Sequence, residues 1–256
     1  MSRRLPLVAA AAAAALFVPV GLQAAGPAAE ASPVAEDARL RTARLIVEIT
    51  NPYEQMVELN LVGWEAAARK AMSLDPTAAA LEKDHPGLFE AVVHAGRPSA
   101  RAYLANFVRE VIAHREQVLA LRLTASELDQ VLRFFRSDAG RRAVRGLYAN
   151  LDLAKLGSEV AVEGAATGNA VLTAEEAARI EQDANLGMMA QANAEDKAAI
   201  LRFTRSAAGH KFNVVSRETE AKLLEMTNNP DPEWLAGQTD VMRAAAIAFI
   251  EGRARR

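Results

Sequence analysis

Two glutamate–histidine pairs carry the residue types that bind metal ions. Glu90 precedes His94 by four positions, and Glu110 precedes His114 by the same spacing. On a helix this spacing puts carboxylate and imidazole on one face, so two such pairs in a bundle are able to meet at a metal. The alternative to a metal site is that each pair is an exposed pair of opposite charges on a solvated helix face. We favour that alternative and predict no metal and no cofactor, because Glu–His pairs at this spacing are common features of solvated helix faces.

Basic residues gather around two short segments of the chain. They are Arg136, Arg141 and Arg142 in the first segment, and Arg205 and Lys211 in the second. Guanidinium and ammonium groups bind phosphate and carboxylate, so one interpretation is a site for anionic lipid or an acidic envelope polymer. The other is a solvated surface on which these cations pair with nearby acids such as Glu127.

The motifs of common enzymes are missing from the sequence. The chain has no cysteine, which excludes disulfides, thiol catalysis and thiolate metal sites. It also lacks HExxH, the G-x-S-x-G elbow, a phosphate loop and a dinucleotide fingerprint. We therefore predict a non-catalytic protein.

The N-terminus has the pattern of a secretory signal. Arg3 and Arg4 precede an apolar run over residues 5–22, and small residues follow it. Pro19 and Gly21 favour a cleaved signal peptide over residues 1–24, although an N-terminal membrane anchor is the alternative. Cleavage leaves 28 basic and 32 acidic residues, a balance that disfavours nucleic-acid binding. We predict a periplasmic protein with no transmembrane segment in the mature chain.

Composition and apolar spacing favour helix almost throughout. Hydrophobic residues make up 51% of the chain and charged residues 24%, with only 14 Gly and 10 Pro. The sequence predicts an all-α array of about eight or nine helices, among them a long helix from Pro98 to about Arg122. The predicted organisation is a flexible lead-in over 25–37, an N-terminal half over 38–163, a linker over 164–173 and a C-terminal half over 174–256.

One phrase of the sequence occurs twice. Residues 131–142 read VLRFFRSDAGRR, and residues 200–211 read ILRFTRSAAGHK, with seven of the twelve positions identical. Each phrase predicts a short helix that ends at a serine, where a second helix begins. We call the two units the first corner and the second corner, and interpret them as duplicated structure.

Capping residues define each predicted corner. In the first corner Thr124 and Glu127 form a capping box, Ser137 caps the next helix, and Gly140 allows close approach of the two helices. In the second corner Asn193, Ser206 and Gly209 occupy the corresponding positions. Phe134 and its counterpart Phe203 are the predicted core anchors, and Thr204 replaces Phe135.

The segment LTASELDQVLRFFRSDAGRRAV resembles the core motif of a bacterial family of exported proteins known as domain of unknown function 2059, L-T-x-x-E-L-x-x-x-x-x-F-Y-x-S-P-x-G. The match rests on Leu123, Thr124, Glu127, Leu128, Phe134, Ser137 and Gly140. Asp138 and Phe135 depart from it, since the family commonly has proline and tyrosine there. The resemblance covers about twenty residues and implies an all-helical envelope protein, without catalytic residues to transfer.

A further segment supports an interaction role. Residues 64–76, WEAAARKAMSLDP, resemble the closing helix of a tetratricopeptide unit, although the 34-residue period does not recur. We predict a periplasmic interaction or binding module whose partner is an envelope protein or an anionic envelope component. The alternatives are an anion binder that uses the arginine-rich corners and a metal-dependent enzyme, and the sequence leaves the oligomeric state open.

Overall fold

The structure, a computed structural model, describes residues 33–168 and 170–254. The described residues are helical without strands, which confirms the predicted all-α class. Their eleven helices are α1 (Pro33–Thr50), α2 (Tyr53–Leu74), α3 (Pro76–Asp84), α4 (Leu88–Arg122), α5 (Ala125–Arg136), α6 (Asp138–Ala149), α7 (Leu153–Thr167), α8 (Ala174–Gln191), α9 (Ala194–Arg205), α10 (Ala207–Asn228) and α11 (Pro232–Ala254).

Two of these helices exceed the eight or nine that the sequence predicts. Helix α3 begins at Pro76, which suits the first helical position because its missing N–H has no helical partner there anyway. The Asp75 side chain caps it by accepting from Ala78 N at 2.8 Å. Helix α7 is capped in the same way by Asp152, whose carboxylate accepts from Lys155 N at 2.9 Å. Proline at the first helical position and short acidic caps therefore begin both of these helices.

Helix α4 is longer than predicted. It begins at Leu88, after Gly87 in the left-handed conformation (φ 93°), and passes through Pro98 without ending. Proline removes one helical hydrogen bond, to the carbonyl of His94. Both Pro98 and His94 lie on the exposed side of the helix, where water can satisfy that carbonyl. A single helix of 35 residues results.

The predicted segment borders also shift. The predicted lead-in over 25–37 overlaps α1, which begins at Pro33, and the predicted linker over 164–173 overlaps α7, which continues to Thr167. Gly168 (φ 77°) ends α7 in the left-handed conformation that glycine adopts easily. The chain then folds back so closely that Gly164 is buried against Ala170. The predicted signal peptide over residues 1–24 lies outside the described residues.

One hydrophobic core joins the two predicted halves. Its most deeply buried large side chains include Trp64, Leu104 and Phe135, and residues from α8 to α11 belong to the same cluster. Helices α2, α4, α7 and α11 pack at one end, and the two corners pack at the other. Within the described part of the chain, no helix combines the length and the apolar character needed to cross a bilayer.

Candidate functional site

Each corner is built by side-chain caps. Thr124 Oγ1 accepts from Glu127 N at 3.3 Å while Glu127 Oε2 accepts from Thr124 N at 2.7 Å, which is a complete capping box at the start of α5. Ser137 Oγ then accepts from Gly140 N at 3.1 Å and donates to the carbonyl of Phe134 at 2.6 Å. The serine thereby joins the last turn of α5 to the first turn of α6.

The second corner repeats this geometry. Asn193 Oδ1 accepts from Asp196 N at 2.8 Å at the start of α9, and Ser206 Oγ accepts from Gly209 N at 3.0 Å at the start of α10. A Cβ at Gly140 or at Gly209 would lie closer than 3.0 Å to the backbone of Phe134 or of Phe203. Both glycines are therefore required by the close approach of the two helices.

The two corners pack against each other about an approximate two-fold axis. Phe134 of the first corner stacks on its own counterpart, Phe203, with ring centroids 4.0 Å apart and planes 2° from parallel. Phe134 is only half-buried, whereas Phe135 is 1% exposed and contacts both Phe203 and Phe212. The prediction that Phe134 and Phe203 anchor the core is confirmed for Phe203, which is 7% exposed, whereas Phe134 is only partly buried and its neighbour Phe135 takes the buried position.

Two reciprocal ion pairs confirm the two-fold relation of the corners. Arg142 donates to both Asp196 oxygens at 2.7 and 2.8 Å, and its counterpart Lys211 donates to both Glu127 oxygens at 2.7 and 3.1 Å. Asp196 is in turn the counterpart of Glu127, 69 residues later. Each corner thus contributes the cation of one pair and the anion of the other, as in a symmetric dimer interface.

The hydrogen bonds of these pairs act on their carboxylates. Those from Arg142 hold the pKa of Asp196 below its ordinary value. Burial pushes the pKa of Glu127 up, but the hydrogen bonds from Lys211 and Thr124 outweigh burial and leave that pKa lowered as well. Both carboxylates are therefore charged at neutral pH, and the ion pairs are formed.

The surrounding helices follow the same symmetry. Each repeat has three helices, the second half of α4 with α5 and α6, and then α8 with α9 and α10. Helix α6 packs on α8 and α9, and its counterpart α10 packs on α4 and α5. The chain thus contains an internal pseudo-dimer of two three-helix units.

Helix α1 breaks this symmetry because it covers only the first repeat. It packs across α4 and α5, and Arg44 pairs with Glu116 of α4 at 3.2 Å. The hydroxyl of Tyr148, on α6, donates to the Thr50 carbonyl at the end of α1 at 3.0 Å. Its own apolar stripe, Ala43, Ile46 and Val47, is completely buried. In the second repeat, the helix that packs extensively on both α8 and α9 is α6. Helix α6 is the counterpart of α10, so among the described helices none takes the place of α1 on the second repeat.

The corresponding face of the second repeat is an open groove of about 300 Å³. We call it the second-corner groove. Its residues come from α8, α9 and α10, and they are Asn185, Met188, Met189, Ile200, Leu201, Thr204, Arg205, His210, Asn213, Val214 and Arg217. Leu201 is 43% exposed in the groove, whereas its counterpart Leu132 beside α1 is 8% exposed. Apolar surface that is buried in one repeat is therefore open in the other.

The rim of the groove is basic. Arg205, His210 and Arg217 line it, and no acidic residue does. Arg205 and His210 form no ion pair with the rest of residues 33–168 and 170–254. Asn213 Oδ1 is buried at the groove without a hydrogen-bond partner among those residues. The groove combines apolar walls with positive charge and one unused hydrogen-bond acceptor.

A buried polar cluster includes Arg115 of α4, Glu181 of α8 and Glu220 of α10. Arg115 donates to Asn51 Oδ1, while its Nε and Nη2 are buried without a partner among the described residues. Burial raises the pKa of Glu181 to about 9 and that of Glu220 to about 7. Arg115 and Asn51 line a cavity of about 50 Å³, which has room for a few water molecules and not for a large ligand.

The predicted anion-binding residues do not form one site. Arg141 pairs with Asp138 at 2.6 Å, and Arg142 and Lys211 form the reciprocal pairs between the corners. Three of the five are therefore neutralised by carboxylates of the same chain. Arg136 and Arg205 are exposed and form no ion pair with the described residues.

The two candidate metal-binding pairs lie far apart on one helix, α4. Glu90, His94, Glu110 and His114 all lie on this helix, and His94 is about 24 Å along it from Glu110 at 1.5 Å per residue. Glu90 instead accepts two hydrogen bonds from Arg69, at 2.7 and 3.0 Å. The hypothesis that the two pairs meet at a metal was wrong, because it needed two helices. No group of three metal-ligating side chains occurs in the described part of the chain.

Comparison of the chain with family models, with curated proteins and with solved structures finds no match.

Proposed function

We propose that the protein is a non-catalytic binding module of the cell envelope and that the second-corner groove is its binding site. One observation carries the proposal: the groove is open, whereas its counterpart in the first repeat is filled by α1. Exposed apolar side chains that cluster in a concave surface usually mark a binding site. Leu201, Met189 and Val214 provide such a cluster between α8, α9 and α10.

The envelope location rests on the N-terminal sequence. Two arginines, an apolar run and small residues are the features of a signal peptide, and the resemblance to an exported helical family agrees with them. Mass measurement of the protein released from the periplasm by osmotic shock tests the location. A chain that starts near residue 25 supports export, and a full-length chain in the membrane fraction supports the anchor.

The alternative of an anion binder that acts through both corners has less support. It requires basic side chains that are available to a ligand, and Arg141, Arg142 and Lys211 already pair with carboxylates. Of the five predicted residues, Arg136 and Arg205 form no ion pair within residues 33–168 and 170–254, and Arg205 lies on the rim of the second-corner groove next to its apolar walls.

Photo-crosslinking tests the groove as a binding site. A photoreactive phenylalanine analogue replaces Leu201 (43% exposed) in one variant and Val62 (46% exposed, on α2) in the control. Helix α2 packs on α3, α4 and α7, away from the second repeat. A discrete cross-linked product from position 201 and none from position 62, in the cells that make the protein, supports the proposal. Equal labelling from both positions contradicts it.

A further inference from the structure

We infer that the second-corner groove takes an amphipathic helix from a partner protein, with an apolar stripe spaced as in α1 and with acidic residues beside that stripe. This inference rests on the proposed function and names the kind of partner. Its premise is the internal duplication, because a duplicated surface keeps the shape that its copy uses. The copy of this surface holds a helix.

The walls of the two surfaces correspond residue by residue at an offset of 69. Leu119, Val131 and Leu132 of the first repeat become Met188, Ile200 and Leu201 of the second. All six positions are apolar. In the second repeat Met188 and Ile200 are already buried, and Leu201, at 43% exposure, is the part of this wall that is open to an apolar stripe. In the first repeat that stripe is Ala43, Ile46 and Val47, at the i, i+3, i+4 spacing by which helices dock in grooves.

The substitutions between the repeats make the second surface more accommodating. Thr204 replaces the buried Phe135 and leaves space at the groove floor, and Met189 replaces Ala120. Methionine side chains are flexible and adapt to different apolar partners. A surface that binds an exchangeable helix needs this adaptability, whereas the seat of α1 is filled permanently.

The second-corner groove lacks a negative charge that the surface under α1 carries. In the first repeat Glu116 accepts an ion pair from Arg44 of α1. Its counterpart in the second repeat is Asn185, so this carboxylate is missing from the groove. The basic rim residues Arg205 and His210 correspond to Arg136 and Arg141, so both surfaces keep basic residues there. A helix with arginine at the position of Arg44 finds no carboxylate partner there, and a helix with glutamate faces Arg205, which forms no ion pair with the described residues. Complementary charge therefore selects an acidic helix.

Two synthetic peptides test this inference on the full protein. One has the sequence of residues 36–51, and the other has the same sequence with Arg39→Glu, Arg41→Glu and Arg44→Glu. Fluorescence anisotropy measures the Kd of each for the wild-type protein. We expect the acidic peptide to bind about tenfold more tightly at low salt, which corresponds to about 1.4 kcal/mol, and the ratio to shrink as salt screens the charges.

Three variants locate the binding. Leu201→Asp puts a charge on the apolar wall, Thr204→Phe fills the groove floor, and Val62→Asp is the control at a position of similar exposure. We expect the first two to weaken binding of the acidic peptide at least tenfold and the control to leave the Kd unchanged. Thermal unfolding checks that each variant is folded. Equal affinity for Leu201→Asp and Val62→Asp, or no saturable binding of either peptide, overturns the inference.

A small apolar probe separates this inference from the proposed function. Anilinonaphthalene sulfonate reports accessible apolar surface by its fluorescence. If Thr204→Phe lowers its binding while neither peptide binds, the helical partner is wrong and the binding groove stands. If neither the probe nor the peptides respond to Leu201→Asp and Thr204→Phe, both are wrong. Phosphatidylglycerol vesicles that bind through Arg205 while the peptides do not also overturn the helical partner.

Discussion

At the first corner Phe135 is buried next to helix α1, whereas at the same place in the second corner Thr204 lines an open groove. The two corners otherwise share their serine caps, their close-packed glycines and their reciprocal ion pairs. The two corners share the contact between them. They differ at the outer face, where one holds a helix of its own chain and the other is open to solvent.

The largest expected effect comes from copying the second corner into the first. Phe135→Thr removes a completely buried aromatic ring and leaves a cavity, so we expect the free energy of unfolding to fall by roughly 3–5 kcal/mol. Thr204→Phe, the reverse exchange, puts a ring into an existing groove. We expect it to change the free energy of unfolding by less than about 1.5 kcal/mol. Urea unfolding measures both. Losses of similar size would show that the two positions are equally packed, contrary to the comparison.

The corner glycines are expected to behave alike in both repeats. Gly140→Ala and Gly209→Ala each push a Cβ into the backbone of the preceding phenylalanine, and we expect each to destabilise the protein by about 1–3 kcal/mol. Gly237→Ala in α11 is the matched control, because a Cβ there meets nothing within 4 Å. It is expected to stabilise by up to about 1 kcal/mol through helix propensity. If either corner alanine left the free energy of unfolding unchanged, the two helices of that corner would not require a glycine.

The second repeat has buried carboxyl groups at two positions where the first repeat has apolar residues. Glu181 and Glu220 stand where the first repeat has Ile112 and Leu151. Because the pKa of Glu181 is raised from 4.5 to about 9, the folded state keeps a proton that the unfolded chain loses. Stability from this group is therefore fully present below pH 4.5 and is lost as the pH rises toward 9.

Glu181→Gln removes this titration. We expect the variant to be more stable than the wild type at pH 8 by at least about 1 kcal/mol, the equivalent of one pKa unit, and to lose less stability between pH 5 and 8. Urea unfolding at a series of pH values tests this. A wild-type stability that rises over that range would show that the carboxyl group is ionised in the folded protein.

The smallest expected effect is that of a reciprocal ion pair. Glu127 and Lys211 are partly exposed, so a double-mutant cycle of Glu127→Gln and Lys211→Met is expected to give a coupling below about 1 kcal/mol at pH 7. Because the pKa of Glu127 is lowered, the coupling is present above pH 4.5 and is lost as the pH falls through that lowered pKa. A coupling that persists at pH 2 would mean that the contact is not ionic.

The parts of the fold that could be predicted from the sequence are the local ones. Thr124, Ser137 and Ser206 each cap a helix by accepting from the residue three positions later, so their roles are visible in the sequence alone. The all-α class was predicted for the same reason, because apolar residues recur at helical spacing over long segments. Helix α3 was not predicted, although Pro76 begins it, and the predicted linker overlapped α7, because Gly164 is buried inside that helix.

The candidate site could not be predicted in the same way, because it depends on contacts between distant residues. The replacement of Phe135 by Thr204 was visible, but only the position of α1 shows that it opens a groove. Burial of Glu181 likewise follows from packing and not from its neighbours in the chain. The candidate metal ligands failed because Pro98 does not end α4, so that one helix keeps His94 and Glu110 apart.

Methyl NMR tests the central claim most directly, because the seven methionines lie in different parts of the chain. Met188 and Met189 line the second-corner groove, whereas Met56 and Met72 lie on α2. On addition of the acidic peptide to methyl-labelled protein, we predict that the Met188 and Met189 signals shift and that the Met56 and Met72 signals do not. Shifts of the α2 methionines with unchanged groove methionines would place binding elsewhere and contradict the account.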